Sequence, residues 1–358
     1  MEINNYLNFF LDRTVLVTGA SGFKGSWLCL MLKNLGANVI GFSLDPYTAK
    51  DNFVITGLNK KINHIVGDVN DYNELDLVLK TFKPEFIFHL AAQPLVLESY
   101  KNPIDTYKSN VMGTLNVLEL VRNHKCVKGA LFITSDKCYD INSENIKYKE
   151  NDKLGGVDPY SASKAACEII IQSHIQSFFN TKESAYVASA RAGNVIGGGD
   201  WSKNRLVPDC IRSINDDRPI ILRNPDSVRP WQHVIDPLYG YLMLAERLLS
   251  NEIDYQGAWN FGPKENSEHS VLEVVQEIIN QTGAGSLELN KLPNEYIESK
   301  MLLIDITKAI EKLHWYPKIG FEKMIKMTVE EYMIDGMSDE EVYQQRINHI
   351  NDYFKSVG

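Results

Sequence analysis

The chain has 358 residues, 44% hydrophobic and 23% charged, which suits an ordinary globular protein of one large domain or two moderate ones. A formal charge of −9 argues against nucleic acid or an anionic membrane surface as the main partner, and no apolar run approaches the roughly 20 residues that cross a bilayer. The stretch Met1 to Asn5 lacks the basic and apolar regions of a leader, and five scattered cysteines (Cys29, Cys126, Cys138, Cys167, Cys210) have neither metal-ligand nor redox spacing, so a cytoplasmic protein with reduced thiols and no metal is expected.

The first 190 residues alternate strand and helix. Residues 14–18 form a β-branched run that ends at Gly19, and a helical pattern follows over 23–35. Strands are expected at 39–44, 62–66, 86–90, 130–134 and 185–191, with helices at 72–82, 107–122 and 160–179 between them. The 86–90 run is apolar throughout, as when both faces of a strand are covered. This alternation predicts an α/β fold, a doubly wound parallel sheet of Rossmann-like type.

After Gly193 the texture changes. Gly197-Gly198-Gly199 opens a loop-rich stretch. Helical patterns return at 206–214, 237–249, 270–282, 307–313, 321–333 and 339–353, with short extended runs at 219–222 and 259–261. The expectation is a nucleotide-binding domain over 1–193 with a returning segment near 234–262. Residues 194–233 and 263–358 would make a smaller, mainly helical substrate domain.

Gly19-Ala20-Ser21-Gly22-Phe23-Lys24-Gly25 is a Gly-x-x-Gly-x-x-Gly loop between the first strand and the first helix. Glycines there permit a tight turn and close backbone approach to a pyrophosphate seated on the helix N-terminus. Asp45, 20 residues after Gly25, stands where a carboxylate accepts from an adenosine ribose and repels a 2′-phosphate, which favours NAD over NADP. Asp45-Pro46 is equally a turn starter, and Ser43 could take the ribose position instead. Lys24 could meet a phosphate. Asp68 and Val69 end the third strand, within reach of an adenine, and Ala91, Ala92 and Gln93 end the fourth, where small residues let a cofactor pass.

Tyr160 and Lys164 stand one turn apart on a helix face. In such a pair the lysine lowers the phenol's pKa, and the phenolate takes a hydroxyl proton while hydride leaves the same carbon. The bare spacing is easily matched, and Tyr296–Lys300 also fits it. Tyr160 is singled out by following Asp158-Pro159 at a helix start, 25 residues after Ser135 at a strand end. Asp136 and Lys137 add an acid and an amine beside that serine.

These residues resemble the extended short-chain dehydrogenase/reductase family over nearly the whole chain, and within it the nucleotide-sugar 4,6-dehydratases of the CDP-glucose branch. The carriers are TGASGFKGSW (18–27), HLAAQP (89–94), NVMGT (110–114), TSDKCY (134–139), LGGVDPYSASK (154–164), ARAGNVIGGGDW (190–201) and RNPDSVRPWQHV (223–234). The last two are the longest and most specific.

The resemblance implies NAD as cofactor, a nucleotide-sugar substrate and a redox-neutral cycle that yields a 4-keto-6-deoxy sugar. Tyr160 would take the C4 hydroxyl proton as hydride passes to NAD, and Ser135 would bond the C4 oxygen. A base would remove the C5 proton, Asp136 would protonate the C6 hydroxyl if burial raises its pKa, and hydride would return to C6. Where the dTDP-glucose branch has a Glu base, this chain has Lys137. A free lysine at about 10.4 must drop several units to act as a base, or else stays charged and stabilises the enolate. Asn194, Arg205 and Arg229 would hold the sugar diphosphate, Asn110 would hold the site together, Trp231 and His233 would be packing residues, and a homodimer is implied. A 4-epimerase needs the same cofactor, serine, tyrosine and lysine but not the Asp136-Lys137 pair. A non-catalytic NAD-binding regulator needs neither Tyr160 nor Lys164.

Overall fold

A computed structural model of the chain describes residues 8–141, 147–222, 224–250, 252–264, 268–289 and 302–357. Tyr296 and Lys300 lie outside the described residues, as does Arg223. The centre is a seven-stranded parallel sheet. Its strands are β1 (Thr14–Thr18), β2 (Asn38–Ser43), β3 (Asn63–Val66), β4 (Phe86–His89), β5 (Gly129–Ile133), β6 (Tyr186–Arg191) and β7 (Gly257–Asn260), in the order β7-β6-β5-β4-β1-β2-β3. The order reverses between β1 and β4, where Thr18 pairs with His89 on one side and Phe42 on the other. A ligand crevice opens at such a reversal, outside the carboxyl ends of the strands.

Helices cover both faces. On one face, α1 (Phe23–Asn34) and α6 (Ile235–Leu249) pack with Trp259, Trp315 and Tyr353. On the other, α2 (Tyr72–Phe82), α3 (Gly113–Asn123) and α4 (Pro159–Phe178) bury Leu75, Val117 and Ile171. Local chemistry sets the ends. Asp71 accepts from the Glu74 N–H at 3.0 Å to start α2, and Lys83 closes it in the left-handed region. Asp158 accepts from the Ser161 N–H at 2.9 Å, and Pro159 occupies the first turn of α4. A third apolar cluster unites α5 (Leu206–Asn215), α7 (Val271–Thr282) and α8 (Phe321–Tyr332), and α9 (Asp339–Val357) lies beside α1 and α8.

Two features differ from the sequence pattern. The helix expected from Tyr107 begins at Pro103, whose fixed backbone suits a first turn, and runs through a wide turn at Lys108–Met112 before α3. Residues 307–313 contain the same kind of wide turn at Ala309–Leu313. The strand expected at 259–261 is β7, which pairs in parallel with β6 at the sheet edge, Trp259 opposite Ala190.

Candidate active site

The loop after β1 is shaped by close approach. Gly19 has φ +73, and a Cβ there would lie 2.7 Å from the Ala91 backbone nitrogen; one at Gly25 would lie 2.0 Å from the Gly19 carbonyl oxygen. Gly22 precedes α1, and no side chain caps the first turn. Those N–H groups and the helix dipole make a cradle for an anion. Phe23 is half-buried and faces Gly197.

At the β2 end, Ser43 is buried, and its hydroxyl is occupied by the Ser21 N–H at 3.1 Å and His64 Nε2 at 2.9 Å. Asp45 is exposed beyond it, its charge felt by His64. Asp68 is exposed and accepts from the Asn70 N–H at 2.9 Å, whereas the Val69 side chain is buried against Gly113. Ala91 and Ala92 are half-buried at the β4 end. Gln93 and Asn110 are knit together: Asn110 Oδ1 accepts from the Gln93 N–H at 2.7 Å, and Asn110 Nδ2 donates to Ser163 Oγ at 2.8 Å. Asn110 thereby ties the β4 loop to α4.

Ser135, Asp136 and Tyr160 meet at the β5 end. The Ser135 hydroxyl donates to Asp136 Oδ1 at 2.9 Å, accepts from the Lys137 N–H at 3.2 Å and is hydrogen-bonded to the Tyr160 phenol. Burial pushes Tyr160 up to about 12; the Ser135 bond and the Arg205 charge pull it down, while Asp136 and Asp158 raise it. The expected lowering by Lys164 is not what dominates here. The Lys164 ammonium donates to the Ile133 carbonyl at 3.2 Å, and burial lowers its own pKa. Lys137 is half-buried in the 3-10 turn Asp136–Cys138.

Of three features of the site, two went unread in the sequence, and Lys24 was read only as a possible phosphate contact. Gly193 is the first: a Cβ there would stand 1.8 Å from Asp136 Oδ2, so glycine makes the seat of that carboxylate. The second is Lys24, whose charge meets Asp136, Arg205 and Lys164. The third is the hold on the 197–200 loop. Glu331 Oε2 accepts from the Gly198 N–H at 2.6 Å and is 3.3 Å from His233 Nε2, and Trp27 Nε1 donates to the Gly198 carbonyl at 3.0 Å. That loop presents Asp200, whose Oδ2 holds Arg205 at 2.7 Å. Glycine spacing alone was the available signal for the first of these.

Asn194 turns the chain after β6 with φ +50, a region asparagine tolerates. Arg229 lies on the short strand Val228–Pro230, donates to the Val228 carbonyl at 2.9 Å, and is not among the charges acting on Lys24. Trp231 Nε1 donates to the His269 carbonyl at 3.1 Å, and His233 is fully buried. Among the described residues no group of three His, Cys, Asp or Glu could hold a metal ion.

A glycine-cradled loop at the switch point, with a serine, tyrosine and lysine at the neighbouring strand end, defines a Rossmann-like α/β protein of the dehydrogenase/reductase type. The chain belongs to the GDP-mannose 4,6 dehydratase family, whose model matches residues 16–328. It is 42% identical to a CDP-glucose 4,6-dehydratase of Salmonella typhimurium over 90% of this chain and 91% of that one. The NAD complex of a UDP-glucose 4-epimerase from Thermus thermophilus superposes with TM-score 0.74 at 26% identity, over 89% of this chain and 98% of that one. The NAD complex of a dTDP-glucose 4,6-dehydratase from Bacillus anthracis shares the fold, with TM-score 0.74 at 24% identity, over 90% of this chain and 97% of that one.

Proposed function

We propose that the chain is an NAD-dependent nucleotide-sugar 4,6-dehydratase, a lyase, that converts CDP-glucose to CDP-4-keto-6-deoxyglucose. The observation that carries this reading is the Asp136 carboxylate, seated by Gly193 and Ser135 beside Tyr160. Epimerisation at C4 has no use for it. The 42% identity to a CDP-glucose 4,6-dehydratase supports the choice of sugar and nucleotide.

The cradle of Gly19, Gly22 and Gly25 fits a pyrophosphate, and Asp45, Asp68, Val69, Ala91, Ala92 and Gln93 line the strand ends along which a dinucleotide would lie. NAD, when bound, supplies a hydride acceptor for C4 and a donor for C6. Ser135 bonds the C4 oxygen, and Tyr160 takes the C4 hydroxyl proton. Lys164 holds the ribose and the developing phenolate. Removal of the C5 proton and protonation of the C6 hydroxyl by Asp136 release water. Arg205 and Arg229 pair the diphosphate, with Asn194 beside them. Residues 1–193 and 234–262 serve the cofactor, and 194–233 with 263–358 the sugar nucleotide.

The exposed Ile104, Met112, Ile169 and Phe178 on the 103–123 segment and α4 support a homodimer through those helices. The five free cysteines support a cytoplasmic setting, and among the described residues no helix is long and apolar enough to cross a membrane.

The test is incubation with CDP-, dTDP-, GDP- and UDP-glucose, reading product mass. Loss of one water from CDP-glucose is expected. A product of unchanged mass with inverted C4 would replace the reading with epimerisation.

A further inference from the structure

Gln232 is buried and has no part in the chemistry described above. It opens the two-residue strand Gln232–His233, which pairs in parallel with Val195–Ile196, and its backbone N–H donates to the Asn194 carbonyl at 3.2 Å. Its side-chain Nε2 donates to the Gly193 carbonyl at 3.0 Å and to the Phe261 carbonyl at 3.1 Å. Both carbonyls belong to chain that has just left the sheet. β6 ends at Arg191 and β7 at Asn260, and a last bond between them runs from the Phe261 N–H to the Arg191 carbonyl at 2.8 Å. Beyond it Asn194, at φ +50, turns the β6 chain away. Among the described residues no backbone N–H reaches the Gly193 or Phe261 carbonyl. One amide nitrogen with two hydrogens closes that gap, and two facing acceptors fix which end of the amide is nitrogen. The other end, Oε1, is buried without a partner among the described residues. Such an acceptor lowers stability, so what this side chain contributes lies in its two donations.

Gly193 is also the residue that gives Asp136 its place. A Cβ on Gly193 would stand 1.8 Å from Asp136 Oδ2, while the Ser135 hydroxyl donates to Oδ1 at 2.9 Å. One side of the carboxyl is therefore set by a side chain on its own turn. The other is set by the Gly193 backbone, which the Gln232 amide holds to the end of β7. We propose that Gln232 is a positioning residue for the elimination step, fixing Gly193 and through it the Asp136 carboxyl. This rests on the dehydratase reading above. Tyr160 and Ser135 are placed by α4 and β5, so the oxidation step does not depend on the clasp.

The test uses the full-length enzyme with its NAD content measured first. Absorbance of the reduced nicotinamide on adding CDP-glucose reports oxidation, and product mass reports dehydration. Gln232→Leu keeps the bulk and removes both donors. Bound-NAD reduction and KM are expected to stay within about 3-fold while dehydration slows at least about 10-fold, so that reduced nicotinamide accumulates. Gln232→Glu keeps the shape, and burial against two carbonyls holds the introduced acid in its neutral, donating form near neutral pH. It is expected to recover part of the lost dehydration and to lose it again as pH rises and the acid ionises, a limb that bound-NAD reduction does not share. Equal slowing of both steps in Gln232→Leu, the mark of a merely structural residue, overturns the proposal. So does dehydration within about 3-fold of the unsubstituted enzyme. So does a Gln232→Glu enzyme no faster in dehydration than Gln232→Leu. If Gln232→Leu loses its fold or its NAD, the pH limb of Gln232→Glu decides: its presence supports the proposal and its absence overturns it. An unsubstituted enzyme that forms no dehydrated product from any nucleotide-glucose overturns the dehydratase reading, and the proposal with it.

Discussion

The sheet and the region after Gly193 bring residues to the same site by different physics. The sheet end is held by apolar burial and backbone pairing: β1, β4 and β5 are packed on both faces, and Ser135 and Asp136 simply continue from β5. The 197–200 loop has little apolar surface of its own. It is gripped by a buried polar network in which Glu331 bonds the Gly198 N–H, His233 and His349, while Arg346 donates to Asn52 and the Glu331 carbonyl. An apolar scaffold tolerates the loss of one contact; a buried charge network does not.

The largest expected effect therefore falls on Glu331→Ala, which leaves the Gly198 N–H and His233 buried without their acceptor and removes the charge opposite Arg346. A loss of about 3–5 kcal/mol is expected, read by denaturant unfolding. A loss under about 1 kcal/mol would mean that apolar packing holds the loop as it does the sheet.

Next is Gly193→Ala, at the junction of the two regions. The added methyl must displace the Asp136 carboxylate. Dehydration is expected to slow about 100-fold while bound NAD is still reduced, measured by product mass and by absorbance of the reduced nicotinamide. An equal loss in both steps would show that the substitution disturbs the whole strand end.

The smallest effect separates the regions by acid. Burial pushes His89, between Thr18 and Thr114, down to about 3, with the Lys164 charge adding to it. Below about 6.5 the unfolded chain binds a proton that the folded chain refuses, so stability falls as pH drops from 6.5 toward 3. Glu331 works lower. Burial raises its pKa, but His233, His349 and Arg346 outweigh that and hold it far below the usual range. Its contribution is present above about 4.3 and is lost as pH falls below that. His89→Asn should flatten the slope of stability against pH by up to one proton between about pH 6.5 and 4.5 without altering the steeper fall beneath. An unchanged slope would remove His89 as the source.

The parallel sheet was legible because each strand is a short apolar or β-branched run between glycine, proline and capped helices. Tyr160 and Lys164 were legible because a helix repeats within the spacing that separates them. Gly193 and Glu331 were not, because their meaning depends on chain segments far away. Gly193 reads as a boundary until Asp136 is seen against it, and Glu331 reads as one more helix carboxylate until Gly198, 133 positions earlier, is placed on it. The lysine effect on Tyr160 was read in the wrong proportion, since motif logic counts the charge and omits the burial that raises the phenol.

The contact of α1 with the end of the chain bears on how the molecule is assembled. Asn34 Nδ2 donates to Asn351 Oδ1 at 2.8 Å, and the Arg346 guanidinium sits 5.5 Å from the centre of the Trp27 indole ring. The helix α1 is thus covered by the much later α9, and β7 cannot close its edge of the sheet until some 240 residues after β1 have been made. A nascent chain halted before residue 320 would carry α1 without this cover, as a surface open to chaperones and to other unfinished copies. Completion of the fold then waits on the synthesis of α9 rather than following the sheet strand by strand.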